Sequence, residues 1–320
     1  MGAPADTSAL DIRGLSKAYY IGHIRRRRKP ALVDLTLNIS VGEVFGYLGP
    51  NGSGKTTTLK ILTGLVFPDA GSATLLGSPL GERAGRQRLG FLPENPNFYD
   101  YLTPREYLDY AGWLFGLGRA HRRERARELL EKVGLTAFAD VALRRFSKGM
   151  LQRMGLAQAL VNSPDLVFLD EPMSGLDPIG RRLVRELILD LKAAGKTVFF
   201  STHILSDAET LCDRVALMRA GRLVAVGRLT DILKIDVTHM EVLVTGITQE
   251  DLRSLPPGAE KKRVMGERWT LHVPEAQLGA VVGVLEEAGG RILSVQPVRQ
   301  SLEEYFFKEM GTPTQWDLAD

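Results

Sequence analysis

The sequence predicts an α/β protein: a largely parallel sheet with helical crossovers, followed by a smaller α+β domain. Three observations carry this. Residues 43–48 form a short apolar strand that runs into a glycine-rich turn and then a helix. Two uninterrupted apolar runs, Leu166 to Leu169 and Thr197 to Phe200, flank the amphipathic stretch Arg181 to Ala194, as buried parallel strands joined by a crossover require. Beyond Leu233 the pattern becomes strand, helix, strand, strand, helix, strand, which is the βαββαβ order of a ferredoxin-like domain.

Taken in order, Ala9 to Leu15 and Leu32 to Ile39 alternate apolar and polar residues as strands do. Between them Arg25 to Arg28, with Lys29, read as a hairpin tip whose charge suits either plain solvation or contact with lipid or nucleic-acid phosphates. Glu43 to Leu48 is the buried strand before the glycines, and a helix follows from Thr56 to Leu62. Thr103 to Phe115, with Pro104 in a first-turn position, and Arg122 to Val133 have helical spacing. The second domain reads as strand Glu241 to Thr245, helix Gln249 to Ser254, strands Lys262 to Met265 and Trp269 to Val273, helix Glu275 to Ala288 and strand Ile292 to Val298. A last helix from Leu302 to Met310 and a flexible tail over 312–320 complete the expectation. The domain boundaries implied are 8–235 and 236–311.

Composition bounds the partners. With 320 residues, two domains are expected, and 44% hydrophobic with 25% charged residues excludes collagen, coiled coil and general disorder. No apolar run approaches the eighteen or so residues of a membrane helix, so any membrane role is expected to be peripheral. The opening residues do not have the pattern of a signal peptide. The single cysteine, Cys212, excludes an intramolecular disulfide framework and fits a reducing cytosol. A net charge of +3 gives no ground for expecting nucleic acid as a partner.

The strongest motif is Gly49-Pro50-Asn51-Gly52-Ser53-Gly54-Lys55-Thr56-Thr57, which fits the phosphate-loop pattern G-x-x-x-x-G-K-[ST] between a strand and a helix. Glycines are required because the loop wraps phosphate oxygens with its own N–H groups, a concavity that β-carbons would block. Lys55 adds a point charge, the helix N-terminus adds amides and a positive dipole end, and the Thr56 hydroxyl is suited to Mg²⁺. Leu166 to Glu171 supplies the acidic complement. Asp170, ending an apolar strand, is suited to hold the metal, and Glu171 to polarise an attacking water as general base.

With these motifs the sequence resembles the ATP-binding subunit of ABC transporters over residues 8–230. The resemblance implies a RecA-like core with a β-subdomain and a helical subdomain at about 96–160, and ATP with Mg²⁺ as cofactors. It implies that Tyr19, in Leu15-Ser16-Lys17-Ala18-Tyr19, stacks the adenine, although the adjacent Tyr20 has the same chemistry. The family's Q-loop glutamine is replaced by Glu94, which puts a carboxylate toward the metal, as in exporters whose permease is a separate chain. The signature appears as Phe146-Ser147-Lys148-Gly149-Met150, and in the family this segment caps the γ-phosphate of a second copy. Ser147 and Gly149 match. Lys148 and Met150 depart from the family's glycine and glutamine, and Lys148 either adds charge toward phosphate or is solvated. Ser174, Gly175, Leu176 and Asp177 match the D-loop, and His203 the switch histidine that contacts γ-phosphate. Phe98, Tyr99, Tyr101 and the helix through Trp113 resemble the subdomain where a permease docks.

The function so implied is ATP hydrolysis by a homodimer or heterodimer of such subunits, with Glu171, His203 and Lys55 catalytic. The dimer would drive a separate permease, in the export direction, from the cytoplasmic face of the membrane. A soluble relative acting as a clamp on nucleic acid or ribosome is the alternative. The single cassette and the lack of long coiled-coil insertions count against it. The second domain resembles the accessory domain of such exporter subunits, with an expected role in dimerisation or regulation.

Overall fold

Burial of the apolar runs organises the first part of the chain around one mostly parallel sheet. In the computed structural model the described residues are 8–21, 27–232, 239–248, 250–264 and 268–298. Contacts divide the chain into two units, Met1–Leu229 and Thr230–Asp320.

The first unit opens with a long antiparallel ribbon, β1 (Ser8–Ile21) and β2 (Arg27–Ser40). Next come β3 (Val44–Leu48), α1 (Lys55–Leu62), β4 (Ala70–Leu75), β5 (Ser78–Pro79), α2 (Arg83–Arg86) and β6 (Leu89–Leu92). The helical stretch holds α3 (Pro104–Leu114), α4 (Arg119–Lys132) and α5 (Lys148–Ala159). The unit then alternates β7 (Leu166–Asp170), α6 (Pro178–Ala193), β8 (Thr197–Thr202), α7 (Leu205–Leu211), β9 (Arg214–Arg219) and β10 (Arg222–Arg228). The short α8, Leu229–Ile232, spans the division between the units.

The main sheet has the order β10-β9-β3-β8-β7-β6. Its inner pairs are parallel and only β10 runs antiparallel. Strands β3, β7 and β8 are buried at every residue, which is why they read as continuous apolar runs. Alternate residues serve two cores. Phe45, Tyr47, Phe168 and Phe199 pack with Leu10, Ile12, Leu35 and Ile39 of the antiparallel sheet β2-β1-β4-β5. Val167, Leu169, Val198 and Phe200 face the helices, meeting Leu108, Leu129, Met154 and Val184. The sheet is therefore covered on both sides, and the carboxyl ends of adjacent β3, β8 and β7 are brought to one edge, the place where open α/β sheets bind ligands.

Helix α3 starts at a capping box in which Thr103 Oγ1 accepts from Glu106 N while the Glu106 carboxylate accepts from Thr103 N at 2.9 Å, with Pro104 in the first turn. Thr103→Ala is expected to lower the stability of the nucleotide-free chain by about 1 kcal/mol, read as a lower urea midpoint with an unchanged slope.

The second unit contains β11 (His239–Thr245), β12 (Glu260–Val264), β13 (Arg268–Pro274), α9 (Leu278–Glu287) and β14 (Arg291–Val298). Its strands form an antiparallel sheet in the order β12-β13-β11-β14, with Val242, Val244, Leu271 and Val273 packed against Val281 and Leu285 of α9. Two helices differ from expectation. Instead of a helix over 249–254 there is a single 3-10 turn, Asp251–Ser254, because Pro256 and Pro257 prevent continuation and only Leu252 in it is buried. The stretch from Glu275 starts as a 3-10 turn, Glu275–Gln277, before α9. The strand expected over 262–265 runs from Glu260 to Val264, and Met265, the helix expected at 302–310, the tail 312–320 and the hairpin residues Arg25 and Arg26 lie outside the described residues.

Candidate active site

The loop from Gly49 to Thr57 follows β3 and enters α1, as its motif requires. Gly49, Gly52 and Gly54 make it possible. A β-carbon on Gly49 would stand 2.5 Å from the Met218 carbonyl and 2.6 Å from Ser53 Oγ, and Gly52 and Gly54 have φ of 77° and 105°. Ser53, 2% exposed, has a buried hydroxyl without a hydrogen-bond partner, and Gly54, the residue before α1, gives the helix no side-chain cap. First-turn amides, an orphaned hydroxyl and a lysine thus converge on one concavity, a donor set matched to phosphate oxygens.

Lys55 is 6% exposed, and its ammonium donates to the carbonyls of Gly49 at 2.6 Å and Pro50 at 3.3 Å. Its Nζ lies 3.6 Å from Glu171 Oε1. Burial pushes the Lys55 ammonium below the usual lysine range, opposed first by Glu171 and then by Asp170 and Glu94, so these three carboxylates all act on it. An arriving phosphate would offset the burial in the same sense.

Glu171 follows Asp170 at the end of β7. One carboxylate oxygen, Oε2, pairs with His203 Nδ1 at 2.9 Å; the other, Oε1, is buried without a hydrogen bond. His203 itself is half exposed beyond the end of β8. Asp170, 1% exposed, accepts from Ser201 Oγ at 2.6 Å, and Ser201 Oγ in turn accepts from Glu171 N at 3.1 Å. Lys55, Asp170, Glu171 and His203 are therefore in one place, with Thr56 on the loop and Glu94 in electrostatic reach. Among the described residues no group of three or more His, Cys, Asp or Glu side chains is disposed to hold a cation by itself. Thr56, Asp170 and Glu94 offer oxygen donors of the kind Mg²⁺ takes, with phosphate oxygens needed to complete its shell.

Tyr19 and Tyr20 lie on β1, paired across the ribbon with Lys29 and Arg28, so their side chains leave opposite faces. At most one of them faces the loop. Lys17 Nζ stands 5.9 Å from the centre of the Tyr19 ring. Ala31, two residues beyond Lys29 on β2, brings its carbonyl against Gly54, which puts this end of the ribbon beside the phosphate loop.

The residues whose sequence matches the signature and the D-loop meet each other. Ser147 caps α5 by accepting from Met150 N at 3.3 Å. The Lys148 side chain runs over the D-loop, where a β-carbon on Gly175 would stand 3.0 Å from Lys148 Cε, and one on Gly149 would stand 3.4 Å from Leu176 Cδ2. Leu176 is buried and Asp177 caps α6 by accepting from Gly180 N at 2.8 Å, with Ser174 N donating to Glu171 O at 3.0 Å. Lys148 and Gly149 thus stand beside Gly175 and Leu176 of the same chain. Sequence reasoning missed two polar residues that touch the acidic pair's strand: Ser201, and Gln152 on α5, whose Nε2 donates to Glu171 O at 3.3 Å. The one available signal for Gln152 was an amide on the buried side of an otherwise apolar helix face.

Of the aromatics expected in the helical subdomain, Phe98 packs edge-on against Tyr107 at 5.0 Å and belongs to the core. Tyr99, Tyr101 and Trp113 are exposed. Cys212 is partly buried, and that burial pushes its thiol well up, which keeps it in the unreactive form.

Comparison with known proteins identifies the family. Residues 32–174 match the family model described as ABC transporter. A curated Synechocystis protein, described as an uncharacterized ABC transporter ATP-binding protein, is 43% identical, with 96% of this chain and 86% of the relative covered. The Nod factor export ATP-binding protein I of Cupriavidus metallidurans is 37% identical over 95% of this chain and 98% of its own. Among solved structures, an ATP-binding subunit of an ABC transporter superposes with a TM-score of 0.63 at 34% identity, covering 71% of this chain and 92% of its own. The dimeric post-hydrolysis state of the cassette MJ0796 bound to ADP and Pi gives 0.64 at 27% identity, covering 69% and 98%. The chain belongs to the ATP-binding subunits of ABC transporters.

Proposed function

We propose that two copies of this chain, or one copy and a similar partner, close around two Mg-ATP molecules, hydrolyse them and drive a separate permease, in the export direction. The observation that carries this reading is the continuous line Lys55, Glu171, His203 at the carboxyl ends of β3, β7 and β8, with separations of 3.6 Å and 2.9 Å. Bound Mg²⁺ would supply charge neutralisation between phosphate oxygens. The loop amides of Gly49 to Thr57 and the Lys55 ammonium bind the phosphates, with Tyr19 as the adenine platform. Thr56, Asp170 and Glu94 are the residues for the metal, the last being a carboxylate where the family has an amide.

Glu171 takes the proton of the attacking water, and His203 fixes the carboxylate by occupying Oε2, leaving Oε1 for that water. Ser147, Lys148, Gly149 and Met150 would complete the site of the second copy, with Ser174 to Asp177 between the two sites. If so, each pocket is complete only in a dimer, and turnover per chain falls on dilution. Measuring phosphate release against protein concentration tests this: a constant turnover per chain down to isolated subunits would remove the two-copy site.

For the permease, a groove of about 300 Å³ lies beside α3. Leu65, Phe91, Tyr110, Leu114 and Phe115 line it, and Leu65, Leu114 and Phe115 are exposed, an apolar seat for a cytoplasmic helix. The names of relatives as export proteins support the direction. Among the described residues no helix is long and apolar enough to cross a membrane, which fits a subunit that reaches the bilayer through its partner. The second unit is proposed to aid dimerisation.

A further inference from the structure

We infer that Gln152 is a positioning residue for the general base, holding Glu171 in a backbone conformation it would otherwise leave and tying it to the helix behind the Ser147–Met150 turn. The inference rests on the reading of Glu171 given above. Glu171 has φ of 49°, a left-handed conformation that a residue with a β-carbon keeps only when its surroundings fix it.

Three hydrogen bonds do the fixing. Glu171 N donates to Ser201 Oγ at 3.1 Å, and Glu171 O accepts from Ser174 N at 3.0 Å and from Gln152 Nε2 at 3.3 Å. Gln152 Nε2 also reaches Pro172 O at 3.5 Å, so one amide spans both carbonyls of the turn that leaves β7. Ser201 and Ser174 belong to the neighbouring strand and to the turn itself. Gln152 alone comes from α5, little more than one helical turn after Ser147, and it is 1% exposed.

A buried amide on a face it shares with Leu156 and Ala159 contributes little to packing that methionine would not. What methionine lacks is the donor. Without it the Glu171–Pro172 turn can relax toward an ordinary φ, which swings the carboxylate away from Lys55 and His203. Because α5 also carries the turn that would meet the second copy, Gln152 gives movement of that turn a direct route to the base of its own site.

Gln152→Met tests this, with Gln152→Asn, which keeps the amide but shortens its reach, as a second variant. Both are expected to lower kcat for ATP about tenfold or more while KM stays within about twofold, since displacement of a catalytic group slows chemistry without touching the phosphate loop. In the nucleotide-free protein the imidazole resonance of His203, assigned through His203→Asn, should move in each variant at least half of the way to its position in Glu171→Gln. A His203 resonance left at its wild-type position in both variants would overturn the inference, and so would kcat unchanged in both. Normal turnover in Glu171→Gln would remove the base reading alone, since the resonance still reports whether Gln152 holds Glu171.

Discussion

Glu171→Gln is expected to lower ATP turnover per chain by about 10²–10⁴-fold while nucleotide affinity is retained, measured as phosphate release and as binding of a fluorescent ATP analogue. The substitution keeps the side chain's volume and an acceptor for His203 Nδ1, now 2.9 Å from Oε2, so the site's shape survives. Two things are lost. The amide cannot take a proton from water, and the buried Lys55 ammonium loses the carboxylate 3.6 Å away, which is the largest influence holding it charged against burial. That second loss does not weaken nucleotide binding, because the triphosphate offers Lys55 more negative charge than the carboxylate did. Retained binding with absent turnover would accumulate the ATP-bound dimer, visible as a larger species in gel filtration with Mg-ATP. Equal phosphate release from variant and wild type would remove Glu171 as the base.

The parts of this site that the sequence displayed are those whose chemistry is met by neighbours along the chain. Phosphate wrapping needs glycines at fixed spacing before a helix, and Gly49 to Thr56 stand together for that reason. Asp170 and Glu171 were legible because a strand buried on both faces makes any acid at its end conspicuous. Gln152 was not, since its role depends on α5 lying beside the end of β7, a pairing set by packing across the helical layer rather than by anything near residue 152.

The first hairpin was read short for a different reason. Strands β1 and β2 continue to the pair Ile21 and Arg27, but register shifts between Ile12 and Ala18 break the alternation, and from Arg27 to Pro30 every residue of β2 is exposed, so no apolar period marks the pleat there. Helix α4 likewise starts at Arg119, earlier than expected, because its first turn is exposed and cationic. Lys148, which the sequence leaves between phosphate contact and plain solvation, is exposed and lies across Gly175 of its own chain.

The hairpin's contact with the phosphate loop has a consequence for stability that separates two glycines of one motif. Gly54→Ala is expected to cost the nucleotide-free protein roughly 3–5 kcal/mol, combining strain at a φ open almost only to glycine with a backbone clash. Gly52→Ala should cost only about 1–2 kcal/mol. At Gly52, with φ of 77°, a β-carbon would point into open space, so the conformational penalty is the whole effect. At Gly54, with φ of 105°, it would run into the carbonyl oxygen of Ala31 and stand 3.5 Å from the α-carbon of Gly221. Neither obstacle can rotate away, because both are main chain. Ala31 begins the stretch in which Val33 N donates to Gly221 O at 2.8 Å, and Gly221 N donates to Ser53 O at 3.0 Å, so three backbone segments are locked together there. Relieving the clash means separating β2 from the turn between β9 and β10, with loss of those buried hydrogen bonds. Urea unfolding of the two variants without nucleotide makes the comparison free of any effect on ligand. Equal midpoints for Gly52→Ala and Gly54→Ala would mean that the loop does not rest on the hairpin, and that the motif's last glycine answers to phosphate alone.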